Sequence, residues 1–276
     1  MLPDLLATPE QVLAEALRQS IGSPARADIS NQATDRLTDG LLIIPREPAA
    51  RLLGVMKRPT PTAFNGLVIG SEGMEAPGII QFIPAGFIDS DVIQSWTPDD
   101  ILASLQTTVE RGNTERVRQN LPELEVRRWI QPPRYNPQTH QLSWAALIVH
   151  KSATRDADGE LTYHAVGFGR EGYVHLTVVS SVEKADDIRQ MVDGFLLGLH
   201  FLPGKTYDDA VPADHRAADG LAGAMEIDSL RTAASATNFW ATDTVIPVAG
   251  GIVATIGALS LFIYIQRHLR RLTRQG

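Results

Sequence analysis

The chain has 276 residues, a net charge of −7 and no cysteine. It is long enough for a sizeable core, and its lack of cysteine excludes a disulfide scaffold, a thiolate metal site and a cysteine nucleophile. Four arginines in the last ten residues, Arg267, Arg270, Arg271 and Arg274, carry +4, so the remainder carries −11 (−7 minus +4). An acidic body of this kind argues against nucleic acid as a partner.

Taken in chain order, residues 8–21 form an amphipathic helix: Thr8, Pro9 and Glu10 start it, and Val12, Leu13, Ala16 and Leu17 make one apolar face. The runs 41–45 and 66–70 are short, apolar and bounded by turn residues, which predicts strands with a short helix over 48–56 between them. A further strand is predicted over 78–84. Thr97, Pro98, Asp99 and Asp100 open a long helix reaching about Asn120, with a natural cap, a first-turn proline and two acids at its N-terminus. Four strand-like runs follow at 124–131, 141–151, 161–168 and 172–180, with a turn-rich loop PPRYNPQTH between the first two. A helix over 182–199 closes the domain. The connections among the last four strands are too short for parallel crossovers. The fold class is therefore α+β, an antiparallel sheet of about six or seven strands packed by helices in a sandwich-like plan.

The segment Val245–Ile265 has 21 residues without a charge, about the length that crosses a bilayer as a helix. Phe239, Trp240 and Tyr264 stand as interfacial aromatics, and Arg267, Arg270 and Arg271 favour a cytoplasmic C-terminus. Gly250, Gly251, Ala254, Gly257 and Ala258 give the span a small-residue face suited to another helix. The organisation expected is an N-terminal amphipathic helix (1–24), an extracytoplasmic domain (25–203), an Ala/Asp/Gly-rich connector (204–243), a transmembrane helix (244–266) and a basic cytoplasmic tail (267–276). The N-terminus does not read as an export signal. A signal removed from the chain is the reading favoured over post-translational insertion, which would place the arginines on the wrong side.

Candidate chemistry is sparse. Asp89, Asp91, Asp99 and Asp100 are acidic neighbours explained by capping and a polar loop, so no metal or other cofactor is expected. His164 and His175 fall in one predicted hairpin and read as surface or half-buried strand residues. The charged stretch Glu110–Arg116 reads as a solvated helix face, with a docking face as the sharper alternative. The residues Val166–Gly172, VGFGREG, contain G-x-G-x-x-G. A dinucleotide loop needs a helix after those glycines. Tyr173–Val179 instead alternates as a strand, so Gly169, Arg170 and Gly172 make a hairpin turn, both glycines supplying positive φ, with Gly167 at a bulge.

Several motifs carry a resemblance. Gly169-Arg170-x-Gly172 is one, and Phe201-Leu202-Pro203-Gly204-x-x-Tyr207 is another. Val126–Tyr135, Thr139–Trp144 and Pro84-Ala85-Gly86-Phe87 complete the set. Over about residues 35–265 the chain resembles the uncharacterised membrane-anchored family labelled domain of unknown function 2167. It departs at Thr162-Tyr163, where the family has Asn-Tyr, and at Glu171, where a second arginine is usual. The resemblance implies a periplasmic domain held in a bacterial inner membrane by a C-terminal helix, and no activity. The strand–helix ending is also similar to small α/β/α sandwich modules such as the PsbP-like fold, an analogy of fold alone. The functional expectation is a non-enzymatic accessory subunit, partnered by the lipid bilayer and an integral-membrane complex such as a respiratory or photosynthetic assembly. The alternative is a ligand-binding or hydrolytic cleft near Arg134, Tyr135, His140 and Trp144.

Overall fold

A computed structural model describes residues 8–56, 58–70, 73–89, 97–217 and 225. Four helices are present among them: α1 (Pro9–Arg18), α2 (Arg46–Val55), α3 (Pro98–Arg118) and α4 (Ala185–Gly198). The strands are β1 (Ile21–Gly22), β2 (Arg26–Ile29), β3 (Ala33–Arg36), β4 (Leu41–Pro45), β5 (Phe64–Gly70), β6 (Gly73–Ile83), β7 (Leu124–Asn136), β8 (Gln141–His150), β9 (Glu160–Phe168), β10 (Tyr173–Ser181) and β11 (Leu199–Phe201). Eight form one sheet in the order β1-β4-β5-β6-β10-β9-β8-β7, and β11-β3-β2 form a second. Every paired strand in both sheets is antiparallel to its neighbour. The α+β class is as expected. The count of six or seven strands is too low, because β1, β2, β3 and β11 are short and carry no apolar run that periodicity could detect.

The main sheet is covered on both faces. On one, α4 and the small sheet enclose Val68, Ile80, Tyr163, Ala165, Leu176 and Phe195. On the other, α1 and α2 cover Ile44, Phe64, Leu67 and Ile69, and α3 covers Val126, Leu142, Trp144 and Ile148. Each fully buried aliphatic side chain contributes about 1.5–3 kcal/mol by leaving water. The central strands β9 and β10 are buried at nearly every position. Their alternation is real, yet the polar-looking face is interior too.

The N-terminus of α3 follows from sequence. The Thr97 hydroxyl accepts from Asp100 N–H (3.2 Å), and Pro98 occupies the first turn. Its inner face also caps the sheet edge. The Asn113 amide donates to Leu124 O (2.8 Å) and accepts from Leu124 N–H (2.9 Å), and Gln106 donates to Val126 O (3.0 Å). These side chains replace a neighbouring strand and protect an edge that would otherwise pair with another chain. The solvated reading holds for Glu110, Arg111, Thr114 and Glu115, which are exposed, but not for Asn113 and Arg116, which are buried; Arg116 Nε donates to Pro122 O at 2.6 Å. The PPRYN part of the expected loop is also corrected. It continues β7, with register shifts between Trp129 and Arg134. An edge strand tolerates Pro132 and Pro133 there because their missing donors are not needed by a neighbour.

The charge-free run, its helix-packing and interface residues and the arginine tail lie outside the described residues. Among the described residues no helix is long and apolar enough to cross a membrane.

Candidate functional site

Three of the motifs that carry the family resemblance, the Gly169–Gly172 turn, Pro84–Phe87 and Phe201–Tyr207, meet at one end of the main sheet, joined there by Tyr135 and His140. The β9–β10 hairpin closes through Gly169 N–H, which donates to Gly172 O (2.8 Å). Gly172 has φ +155°, and a Cβ on it would lie 2.0 Å from Ile83 O. Its positive φ is as expected. Gly169 does not share it among the positive-φ residues; a Cβ there would meet the Phe201 ring at 2.3 Å. Gly167 makes no bulge: it pairs with Val174 in unbroken register and leaves room for Leu199. Close packing, rather than backbone conformation, accounts for those two glycines.

This turn grips residues 202–217, a strap that leads from the end of the expected domain into the segment 204–243 that composition assigns to a connector. Arg170 N–H donates to Lys205 O (3.0 Å), and its guanidinium forks onto Asp214 through two 2.8 Å bonds. Those bonds, with a further one from Val211 N–H, hold the Asp214 carboxyl down at about 2. Glu171 accepts from Gln32 Nε2 and Lys205 Nζ, which lowers its own pKa, the lysine contact contributing most. Gly86 N–H donates to Glu171 O (3.0 Å). Phe87 then pairs with the strap as a short parallel bridge: its N–H donates to His215 O (2.8 Å) and its carbonyl accepts from Ala217 N–H (3.0 Å). Arg216 lies 5.3 Å above the Phe87 ring and pairs with Asp89 (3.3 Å).

Aromatic contacts complete the clasp. Tyr207 packs on Phe87 (centroids 4.6 Å), stacks on His140 (4.0 Å) and donates its hydroxyl to Ile88 O (2.9 Å). His140 has φ +50°. Its Nε2 meets Asp208 at 3.3 Å and its Nδ1 meets the Tyr135 hydroxyl at 3.1 Å. The chain Asp208–His140–Tyr135 orders the strap against the β7–β8 hairpin.

The four residues of the expected cleft separate. Tyr135 and His140 meet, Arg134 is exposed, and Trp144 is buried elsewhere on the sheet. Trp144 lies over His164 (centroids 4.9 Å, planes 11° apart), whose Nδ1 is 3.0 Å from His175 Nε2, with Thr177 Oγ1 within 3.5 Å of both. The half-buried expectation for these histidines is corrected: they are 3% and 0% exposed. No three potential metal-binding side chains cluster among the described residues. Sequence reading missed Asp214 and Asp208. Their signals were present as acids beside the Phe-x-Pro-Gly-x-x-Tyr motif, but the matching bases lie far away in sequence.

Residues 22–238 match the family model described as protein of unknown function (DUF2167). The match begins before residue 35, where the sequence resemblance starts, and ends ahead of Val245. None of the curated proteins matches the chain. Among solved structures, the chain is similar to the solution structure of cyanobacterial PsbP (CyanoP) from Synechocystis sp. PCC 6803. The identity is 10%, the TM-score 0.37, and the alignment covers 67% of this chain and 92% of that one. With its model spanning most of the sequence, the chain belongs to the DUF2167 family of proteins of unknown function.

Proposed function

We propose that this protein is a membrane-tethered, non-enzymatic binding module. Its acidic α+β domain stands outside the cytoplasm and docks, as an accessory subunit, on an integral-membrane protein. The observation that carries the reading is the charge-free run Val245–Ile265, bracketed by Asp243 and Arg267. The clasp supports it: the strap that leads toward this run is tied to the sheet end by a bidentate ion pair, a short bridge and the Tyr207 stack.

Because the chain has no cysteine, a single introduced thiol reports topology. Leu197→Cys, at a position 74% exposed, is expected to react with a membrane-impermeant maleimide in intact spheroplasts. Thr273→Cys is expected to react only after lysis. The reverse pattern, or release of the chain by alkaline carbonate, would refute the topology. Migration as a lone monomer after gentle solubilisation would refute the accessory role.

A further inference from the structure

Asp35 is the polar exception in the core between the two sheets. Its side chain is 0% exposed, and neither carboxylate oxygen has a hydrogen-bond partner. The other buried polar side chains among the described residues lie elsewhere: Thr108, Asn113 and Arg116 on α3, and Thr162, His164, His175 and Thr177 on the opposite face of the main sheet. Asp35 sits in the middle of the small sheet, opposite Ala27 on β2 and Leu199 on β11. Gly198 leaves space for it, since a Cβ there would lie 2.5 Å from Asp35 Oδ1.

No compensating charge faces the carboxyl from the packed elements. Arg26, Asp28 and Arg36 of the small sheet are exposed. His200 is exposed too, with Nδ1 bonded to Gly198 O. On α4, Asp186, Asp187, Arg189 and Asp193 face outward, and the inward residues are Ile188, Met191, Val192 and Phe195. From the main sheet comes Tyr163, whose hydroxyl is engaged by Gln131 (2.6 Å).

We propose that Asp35 makes the seating of the three-stranded sheet on the main sheet proton-dependent, seated when the carboxyl is protonated and loosened when it ionises. A bare carboxylate cannot stay in this apolar space, so ionisation favours an opening that hydrates it. Burial pushes the Asp35 carboxyl up to about 7. An acid raised above its unfolded value keeps its proton longer when folded. Stability therefore falls as pH rises from about 4 to about 7, and the loss is complete above that window. Opening would begin at β2, β3 and β11, which are the short strands that hold Asp35.

Hydrogen exchange read by mass spectrometry on the full chain in detergent tests this. Rates are corrected for the intrinsic pH dependence and compared between about pH 5.5 and about pH 8.5. Protection of residues 26–36 and 199–201 is expected to fall at least tenfold relative to β8 and β9. In Asp35→Asn, which holds a neutral isostere, it should stay flat. Should Asp35→Asn not fold, wild type alone decides by where the loss appears. Confinement to the small sheet supports the proposal. An equal loss over the whole domain, no loss, or the same fall in Asp35→Asn overturns it.

Discussion

Three glycines around the clasp give a graded test of how the hairpin turn is held. In Gly172→Ala the new methyl would lie 2.0 Å from Ile83 O, at φ +155°. Ile83 is the residue paired with Tyr173, so relief requires the β6–β10 ladder to part by about 1 Å at its end. Strain at such a φ costs about 1–3 kcal/mol, and a displaced ladder bond adds about 1–3 kcal/mol for each buried group left unpaired. A loss of about 4 kcal/mol follows, which lowers Tm by roughly 8–16 °C for a domain of this size. Gly204→Ala is the control. It too has positive φ, +79°, but nothing lies within 4 Å of the added carbon, so only the left-handed penalty of about 1–2 kcal/mol applies. Gly169→Ala should fall between, because the methyl at 2.3 Å meets a Phe201 ring that can turn, although Lys205 O at 2.9 Å cannot. Thermal unfolding followed by tryptophan fluorescence orders the three. Equal losses for Gly172→Ala and Gly204→Ala would refute the claim that close approach to Ile83 O, added to the positive φ, demands glycine at 172.

Other substitutions probe the remaining contacts. Asn113→Ala leaves Leu124 N–H and C=O buried without partners and should cost about 2–5 kcal/mol in urea unfolding; a loss under about 0.5 kcal/mol would mean that α3 does not cap the edge. For Asp214, the lowered pKa of about 2 stabilises the folded state above pH about 4 and ceases to do so as pH falls through 2. Arg170→Ala should therefore flatten the fall of the urea midpoint between about pH 4 and pH 2, and an unchanged slope would detach Asp214 from that pairing. If the proposed span packs against a partner helix, the double substitution Gly250→Leu and Ala254→Leu should weaken co-purification from membrane; unchanged recovery would remove this face from the interface.

The long elements were legible because each has its own local signal. Thr97-Pro98-Asp99-Asp100 marks a helix start, and Val174, Leu176 and Val178 keep a period of two whatever surrounds them. The small sheet was not legible, since β2, β3 and β11 have only three or four residues and β11 finds its partner β3 far back along the chain. The histidines were misjudged for a related reason. Alternation tells which residues share a face, but not whether a second layer covers that face. Tyr173, His175 and Thr177 share the face opposite Val174, and both faces are interior.

The same limit explains why the clasp was seen as separate motifs. VGFGREG has the glycines of a phosphate loop, but Arg170 spends its guanidinium on Asp214, 44 residues later, and its amide on Lys205. Tyr207 fills the space beside His140 that a ligand ring would need. An arginine engaged on both counts is poorly placed to bind an anion without releasing the strap. The hairpin, the Pro84–Phe87 turn and the strap must therefore be understood as one mechanical unit. What this unit fixes is the position of residues 202–217 relative to the sheet.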